Sequence, residues 1–208
     1  EINGANNSYK TPFAVFITCG TGNFSGTSLS EDLYRAGSVS NPKGAVAAVG
    51  TATTGTHTLF NNIVNMGIYD GIFPKGITNA GGAMAGGRLA IHWTYPSNPN
   101  NWVGIFSHWT NLIGDPALEL WTDTPKILVA DHLEVISSSD DFINVLVIDE
   151  NGDPIEGATI TYRKSGTYTD HRGNFRVTVD SNDQLLTISH IGYKTEVQKV
   201  GGYMRIIL

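Results

Sequence analysis

The 208-residue chain has one cysteine, Cys19, which excludes an internal disulfide, and no Cys/His cluster in it has the spacing of a zinc site. Charge is scarce. Asp, Glu, Lys and Arg make up 15% of the residues and the net charge is −6, so there is no basic footprint for nucleic acid and little attraction to an anionic membrane. Long hydrophobic runs are missing as well, and none approaches the roughly 20 residues of a bilayer-crossing helix, so we expect no membrane span. There is no initiator methionine. Glu1 opens a polar stretch that leads straight into an apolar run, and we read the chain as a piece of a longer precursor. None of the six histidines lies among the 18 residues before Cys19.

What is present suits a folded, exported protein. The hydrophobic share of 40% can fill a core, and 24 glycines with so little charge argue for loop-rich structure, secreted or at the cell surface, rather than disorder. The length suits two domains of ordinary size. Phe13 to Ile17 is an unbroken apolar run, rich in aromatic and β-branched residues and too short for a typical helix. It predicts a fully buried, parallel strand. The strand ends in Thr18-Cys19-Gly20-Thr21-Gly22, and the carboxyl ends of strands in open α/β sheets are where reactive groups gather. Free cysteine is also among the most buried residue types, so position alone does not make it a nucleophile.

The segment from Phe13 through Gly20-Thr21-Gly22-Asn23-Phe24 to Leu33-Tyr34-Arg35-Ala36 resembles the nucleophile segment of the gingipain-like cysteine peptidases, secreted relatives of the caspases and legumains. A second apolar strand, Gly44 to Gly50, follows in the family's order. Asn111 to Leu118 is similar to the Gly-Asp-Pro-Ser/Ala-Leu segment that closes the family's catalytic domain. The resemblance covers about residues 12–124. It implies a partial caspase-like α/β domain with a parallel sheet, a peptide or protein substrate, no required cofactor, Cys19 as nucleophile and Gly20 as a backbone oxyanion donor.

Between these segments, Ser28 or Ser30 can cap a short helix whose first turn holds Glu31 and Asp32 and which Gly37 ends. The spacing of Leu59, Phe60, Ile63, Val64 and Met66 predicts a helix from about 58 to 71. A glycine-rich helix suited to close packing is expected from Gly81 to Trp93, and a last one from Trp102 to Leu112. At Thr122-Asp123-Thr124-Pro125 the texture changes to short alternating strands, so we divide the chain into residues 1–124 and 125–208. Runs at 127–129, 133–136, 142–148, 158–162, 175–179, 185–189 and 204–208 predict an all-β immunoglobulin-like sandwich. Its turn-strand signatures at 147–158 and 169–175, with Ile191-Gly192-Tyr193-Lys194, closely resemble the carboxypeptidase-regulatory-like domain. Asp140, Asp141, Asp149, Glu150 and Asp153 could hold a structural calcium ion, although a solvated turn is the plainer reading.

A thiolate needs a proton acceptor, and the resemblance implies a His-Gly upstream of the cysteine. No histidine here is followed by Gly. His92 and His108 fall in helical aromatic contexts that suggest packing, and His132, His171 and His190 lie in or beside the sandwich. His57 is on a loop beside Cys19, where family members with basic specificity carry a pocket aromatic. Thr54, His57 and Asn61 are therefore candidates for substrate contact, with His57 a neutral wall near neutral pH and a cation in acid. Residues 50–66 contain no Asp or Glu, which argues against a preference for Arg or Lys. The first reading is the C-terminal half of a secreted cysteine endopeptidase whose upstream half, a partner within the same precursor, brings the base. A binding adhesin or pseudoenzyme on the same fold, and a structural module of a surface assembly, are the alternatives.

Overall fold

The computed structural model describes residues 2–132, 142–162, 165–178 and 184–200, and the chain divides into two compact units, Glu1–Thr122 and Asp123–Leu208.

In the first unit, β1 (Phe13–Val15) leads through α1 (Leu29–Tyr34) and a small hairpin, β2 (Gly37–Ser38) and β3 (Asn41–Pro42), to β4 (Ala47–Thr51). Two long helices follow, α2 (Thr58–Ile72) and α3 (Ala80–Thr94), then α4 (Trp102–Trp109) and β5 (Thr110–Ile113). The main sheet has the order β1-β4-β5. β1 and β4 are parallel, with Phe13 opposite Ala47 and Val15 opposite Val49, as expected for two apolar strands joined by a helical crossover. β4 is buried at every position. On one face Val49 packs with Val64, Ile68 and Ile72 of α2, Ala83 and Ile91 of α3, and Val103 and Phe106 of α4. On the other, Gly50 lies against Ser30 of α1, so helices cover both faces.

Sequence chemistry accounts for the helix ends. The Ser28 side chain accepts from the Glu31 amide, and the Asn79 side chain accepts from the Gly82 amide. The glycine-rich helix packs as closely as expected: a Cβ at Gly87 would sit 2.7 Å from the Val64 carbonyl oxygen, and one at Gly67 2.5 Å from the Ala90 methyl.

Two expectations need correction. The run Phe13 to Ile17 is not a fully buried strand: only Phe13–Val15 are in strand form, all half-buried, and Ile17 is 37% exposed. Among the described residues β1 pairs on one edge only, so half its surroundings are open. The last helix does not reach Leu112. It stops at Trp109, where Thr110 turns extended and its hydroxyl donates to the Phe106 carbonyl at 3.0 Å. Thr110 to Ile113 then pair antiparallel with Thr51 to Ala48, since β-branched and aliphatic residues beside an open sheet edge gain more as a strand.

The second unit holds two antiparallel sheets. One has the order β10-β7-β6, from β6 (Leu128–Asp131), β7 (Phe142–Asp149) and β10 (Asn174–Thr178). The other has the order β12-β11-β8-β9, from β8 (Thr159–Tyr162), β9 (Ser165–Tyr168), β11 (Gln184–Ser189) and β12 (Glu196–Val200). Val145, Val147 and Val177 of one sheet share a core with Ile160, Leu186 and Ile188 of the other. β9 and β12 were not expected. Both are edge strands: Gly166 to Tyr168 are exposed, and in β12 the half-buried positions are the polar Glu196 and Gln198, so neither carries the alternating apolar face that marks the other strands. The expected strands at 133–136 and 204–208 lie outside the described residues.

Candidate active site

The segment after β1 runs along the carboxyl end of β4 and is tied to it by backbone bonds. Phe16 N–H donates to Val49 O at 2.8 Å, Gly22 N–H to Thr51 O at 2.9 Å and Gly20 N–H to Thr53 O at 2.7 Å. Threonines reinforce this seam. The Thr21 hydroxyl donates to Thr18 O at 2.9 Å and accepts from the Thr51 amide at 3.2 Å, while the Thr51 hydroxyl also donates to Thr18 O. Two glycines let the segments meet, because a Cβ at Gly22 would lie 2.6 Å from the Gly50 carbonyl carbon and one at Gly50 2.8 Å from the Gly22 nitrogen. Parallel register thus sets the loop after β1 beside the loop after β4.

Cys19 stands on this seam with its side chain exposed. Its Sγ is 2.9 Å from the Thr56 hydroxyl and 3.9 Å from the Thr56 carbonyl. Its pKa is lowered from the ordinary thiol value, first by the Thr56 hydroxyl and then by the Thr56 backbone, with desolvation acting the other way. That shift favours the nucleophilic thiolate.

The other candidates fall into different places. Gly20 adopts φ 70°, and its amide, expected to face a substrate oxyanion, is bound to Thr53 O; in this conformation it has no proton to offer. Thr54 is exposed beside it, its Cγ2 3.5 Å from where a Gly20 Cβ would stand. His57 is the N-cap of α2: its Nδ1 accepts from the Leu59 amide at 3.2 Å, which places the ring proton on Nε2. The ring meets Phe60 edge-on, with centroids 6.1 Å apart. Asn61 does not line an open pocket. It is 5% exposed, and its Nδ2 donates to Ile17 O and to the Thr56 hydroxyl, each at 2.9 Å.

Cys19, Thr56 and Asn61 thus form one chain of contacts, and Thr56 is the member that the sequence reading passed over. Nothing in Thr51-Ala52-Thr53-Thr54-Gly55-Thr56 singles it out from its neighbours. Only the alignment of the two loops does. The remaining histidines are elsewhere. His92 and His108 are exposed rather than packed, with His108 Nδ1 donating to Gly104 O at 2.6 Å. His132 Nε2 is 2.6 Å from Gln198 Oε1, and His190 Nδ1 donates to Ile191 O at 2.9 Å. A depression of about 580 Å³ lined by Thr27, Asp32, Arg35 and Lys43 contains no residue of the Cys19 loop pair.

Among the described residues no group of three or more His, Cys, Asp or Glu is placed to hold a metal ion. Asp140 and Asp141 lie outside them. The Asp149 carboxylate accepts from the amides of Asn151 at 2.8 Å and Asp153 at 3.0 Å, closing its own turn.

The helix-flanked sheet of the first unit has the caspase-like fold of the gingipains. The chain belongs to Peptidase family C25, whose family model matches residues 1–121. A second family model, the CarboxypepD_reg-like domain, matches residues 146–202. Among solved structures, the chain is similar to the Arg-specific cysteine proteinase gingipain R (RgpB), at 21% identity and a TM-score of 0.65, over 97% of this chain and 48% of that one. It is also similar to the complex of Porphyromonas gingivalis RgpB pro- and mature domains, at 18% identity and a TM-score of 0.68, over 97% and 48% of the two chains. A third structure, that of a protease, matches at 14% identity and a TM-score of 0.67, over 96% and 48%. At these identities the likeness is one of fold, and the chain spans about half the length of the solved structures it matches. No curated protein matches it. No helix among the described residues is long and apolar enough to cross a membrane.

Proposed function

We propose that this chain is the C-terminal part of the catalytic domain of a secreted gingipain-like cysteine endopeptidase, followed by an immunoglobulin-like accessory domain. The carrying observation is Cys19: a thiol exposed at the carboxyl end of β1, with its pKa lowered by Thr56. The base would be a histidine from the preceding part of the same precursor, since among the described residues Cys19 bonds to Thr56, and Thr56 to Cys19 and Asn61, rather than to a histidine. That part would also complete the oxyanion hole, to which Gly20 could contribute only by releasing Thr53. The thiolate would attack a peptide carbonyl carbon, and the histidine would pass a proton to the leaving amine. No cofactor is required for this chemistry.

The substrate is a peptide or protein whose specificity is set partly by the 51–58 loop. The gingipain R structure is described as Arg-specific, but here no carboxylate occurs between residues 44 and 69 to pair with a cationic side chain. Burying an unpaired cation would cost several kcal/mol. We therefore propose that the enzyme does not prefer Arg or Lys unless the preceding part of the precursor contributes an acid to the pocket.

The test is Cys19→Ala in the complete precursor. The smaller side chain at an exposed position should leave the fold intact, by circular dichroism, while peptide cleavage disappears. Cleavage at the wild-type rate would refute the nucleophile assignment and return the chain to a binding or structural role.

A further inference from the structure

Of the residues in the 51–58 loop, Thr56 places its side chain on the Cys19 sulfur, 2.9 Å away, and a thiolate, having no proton, can only accept in that contact. The Asn61 Nδ2 group carries two protons and cannot accept. One goes to the Ile17 carbonyl and the other to Thr56 Oγ1, each at 2.9 Å. The Thr56 oxygen accepts from Asn61 through one lone pair, with the hydroxyl proton directed elsewhere, and toward a thiolate that proton is the one available to donate.

An O–H aimed at sulfur favours the charged thiolate. A nearby cation would do the same, but this half of the site has none. No Asp, Glu, Lys or Arg occurs from Phe16 to Ser30 or from Gly44 to Ile68, and the other titratable group there is His57, whose Nδ1 faces the Leu59 amide. The hydroxyl is thus the side chain with which these segments hold the thiolate. Asn61 is suited to orient it, being buried in the first turns of α2 and tied to the carbonyl two residues before Cys19.

We propose that Thr56 is a catalytic residue, donating a hydrogen bond to the Cys19 thiolate, and that Asn61 is the positioning residue that keeps the Thr56 hydroxyl in its donor orientation. The proposal rests on the reading of Cys19 as nucleophile. As the sulfur lone pair forms the bond to the substrate carbonyl carbon, the carbonyl π pair moves to its oxygen and the Thr56 bond weakens. A hydrogen-bonded thiolate is intrinsically less nucleophilic, but below the thiol pKa the gain in thiolate fraction outweighs that loss.

Cys19 is the only thiol, so alkylation of the 208-residue chain with iodoacetamide across a pH series reads this residue alone. Thr56→Val keeps the shape without the hydroxyl, and should move the midpoint of the rate–pH profile upward and slow alkylation severalfold at neutral pH. Thr56→Ser should restore the wild-type midpoint. Asn61→Leu should shift it the same way, and the double variant should go no further than Thr56→Val, because both remove one bond. An unmoved midpoint in a folded Thr56→Val chain, or in Thr56→Ala should the valine disturb the loop, overturns the role of Thr56. Fully additive shifts in the double variant, or an unmoved midpoint in a folded Asn61→Leu or Asn61→Ala chain, overturn that of Asn61. Alkylation needs neither substrate nor upstream residues, so these outcomes are separate from cleavage by the Cys19→Ala precursor, which tests the nucleophile itself.

Discussion

Cys19 and His57 lie on facing loops, yet the hydrogen bonds give them different work. The His57 ring accepts from an amide of α2, and a ring that accepts at Nδ1 cannot also be protonated there. His57→Ala should therefore cost stability, about 0.5–1 kcal/mol at the low end for a lost N-cap, read as a lower melting temperature. His57→Asn keeps a capping oxygen and removes the imidazole. If the ring also borders the substrate pocket, His57→Asn in the complete precursor should alter the cleavage profile of a peptide library at unchanged stability. An identical profile would confine His57 to its capping role. The same library checks the proposed discrimination against Arg and Lys, which dominant cleavage after either residue would overturn.

At the level of elements, the site depends on how closely α2 and α3 pack behind β4. Gly87 meets the Val64 carbonyl oxygen and Ile68 Cγ1, which would lie 2.7 and 2.8 Å from an added Cβ. Helix propensity favours alanine over glycine by about 1 kcal/mol, but overpacking against backbone costs about 1–3 kcal/mol, so the contact decides the sign. Gly87→Ala should lower the denaturation midpoint of the first unit. Gly71→Ala should be milder, because its nearest neighbour is the end of a flexible side chain, Ile77 Cδ1 at 3.3 Å. Equal losses at the two positions would contradict this account. The α2 helix was legible from the spacing of its apolar residues and α1 from a serine cap, whereas the His57 and Asn79 caps were not anticipated. The β5 strand was not, because Thr110, Leu112 and Ile113 fit either a helix or a strand and only the open edge of β4 decides between them.

Across the whole molecule there are two hydrophobic cores, one in each unit, and acid should act on the second through two of its turns. In the second unit Asp149 and Asp170 both have carboxyl pKa values below the ordinary range, chiefly through the amides of Asp153 and Asn174 respectively. Because the folded-state values are depressed, this stabilisation is complete above the unfolded-state value of about 3.9 and is lost as pH falls through the lower folded-state values. The melting temperature of the second unit should therefore drop below about pH 4, with a shallower dependence in a chain carrying Asp149→Asn and Asp170→Asn. An unchanged pH slope in that chain would remove these turns from the explanation of acid sensitivity. The sequence by itself determined the short apolar strands, the capped helices, the change of texture near Thr122 and the glycine-flanked cysteine, since each follows from local periodicity or turn chemistry within a few residues. Tertiary structure alone decided that β1 is half-buried, that Gly20 turns its amide to Thr53, and that Asn61 faces inward. It also chose Thr56 from a run of similar threonines, because the parallel register of β1 and β4 brings together residues 37 positions apart whose contact no local pattern encodes.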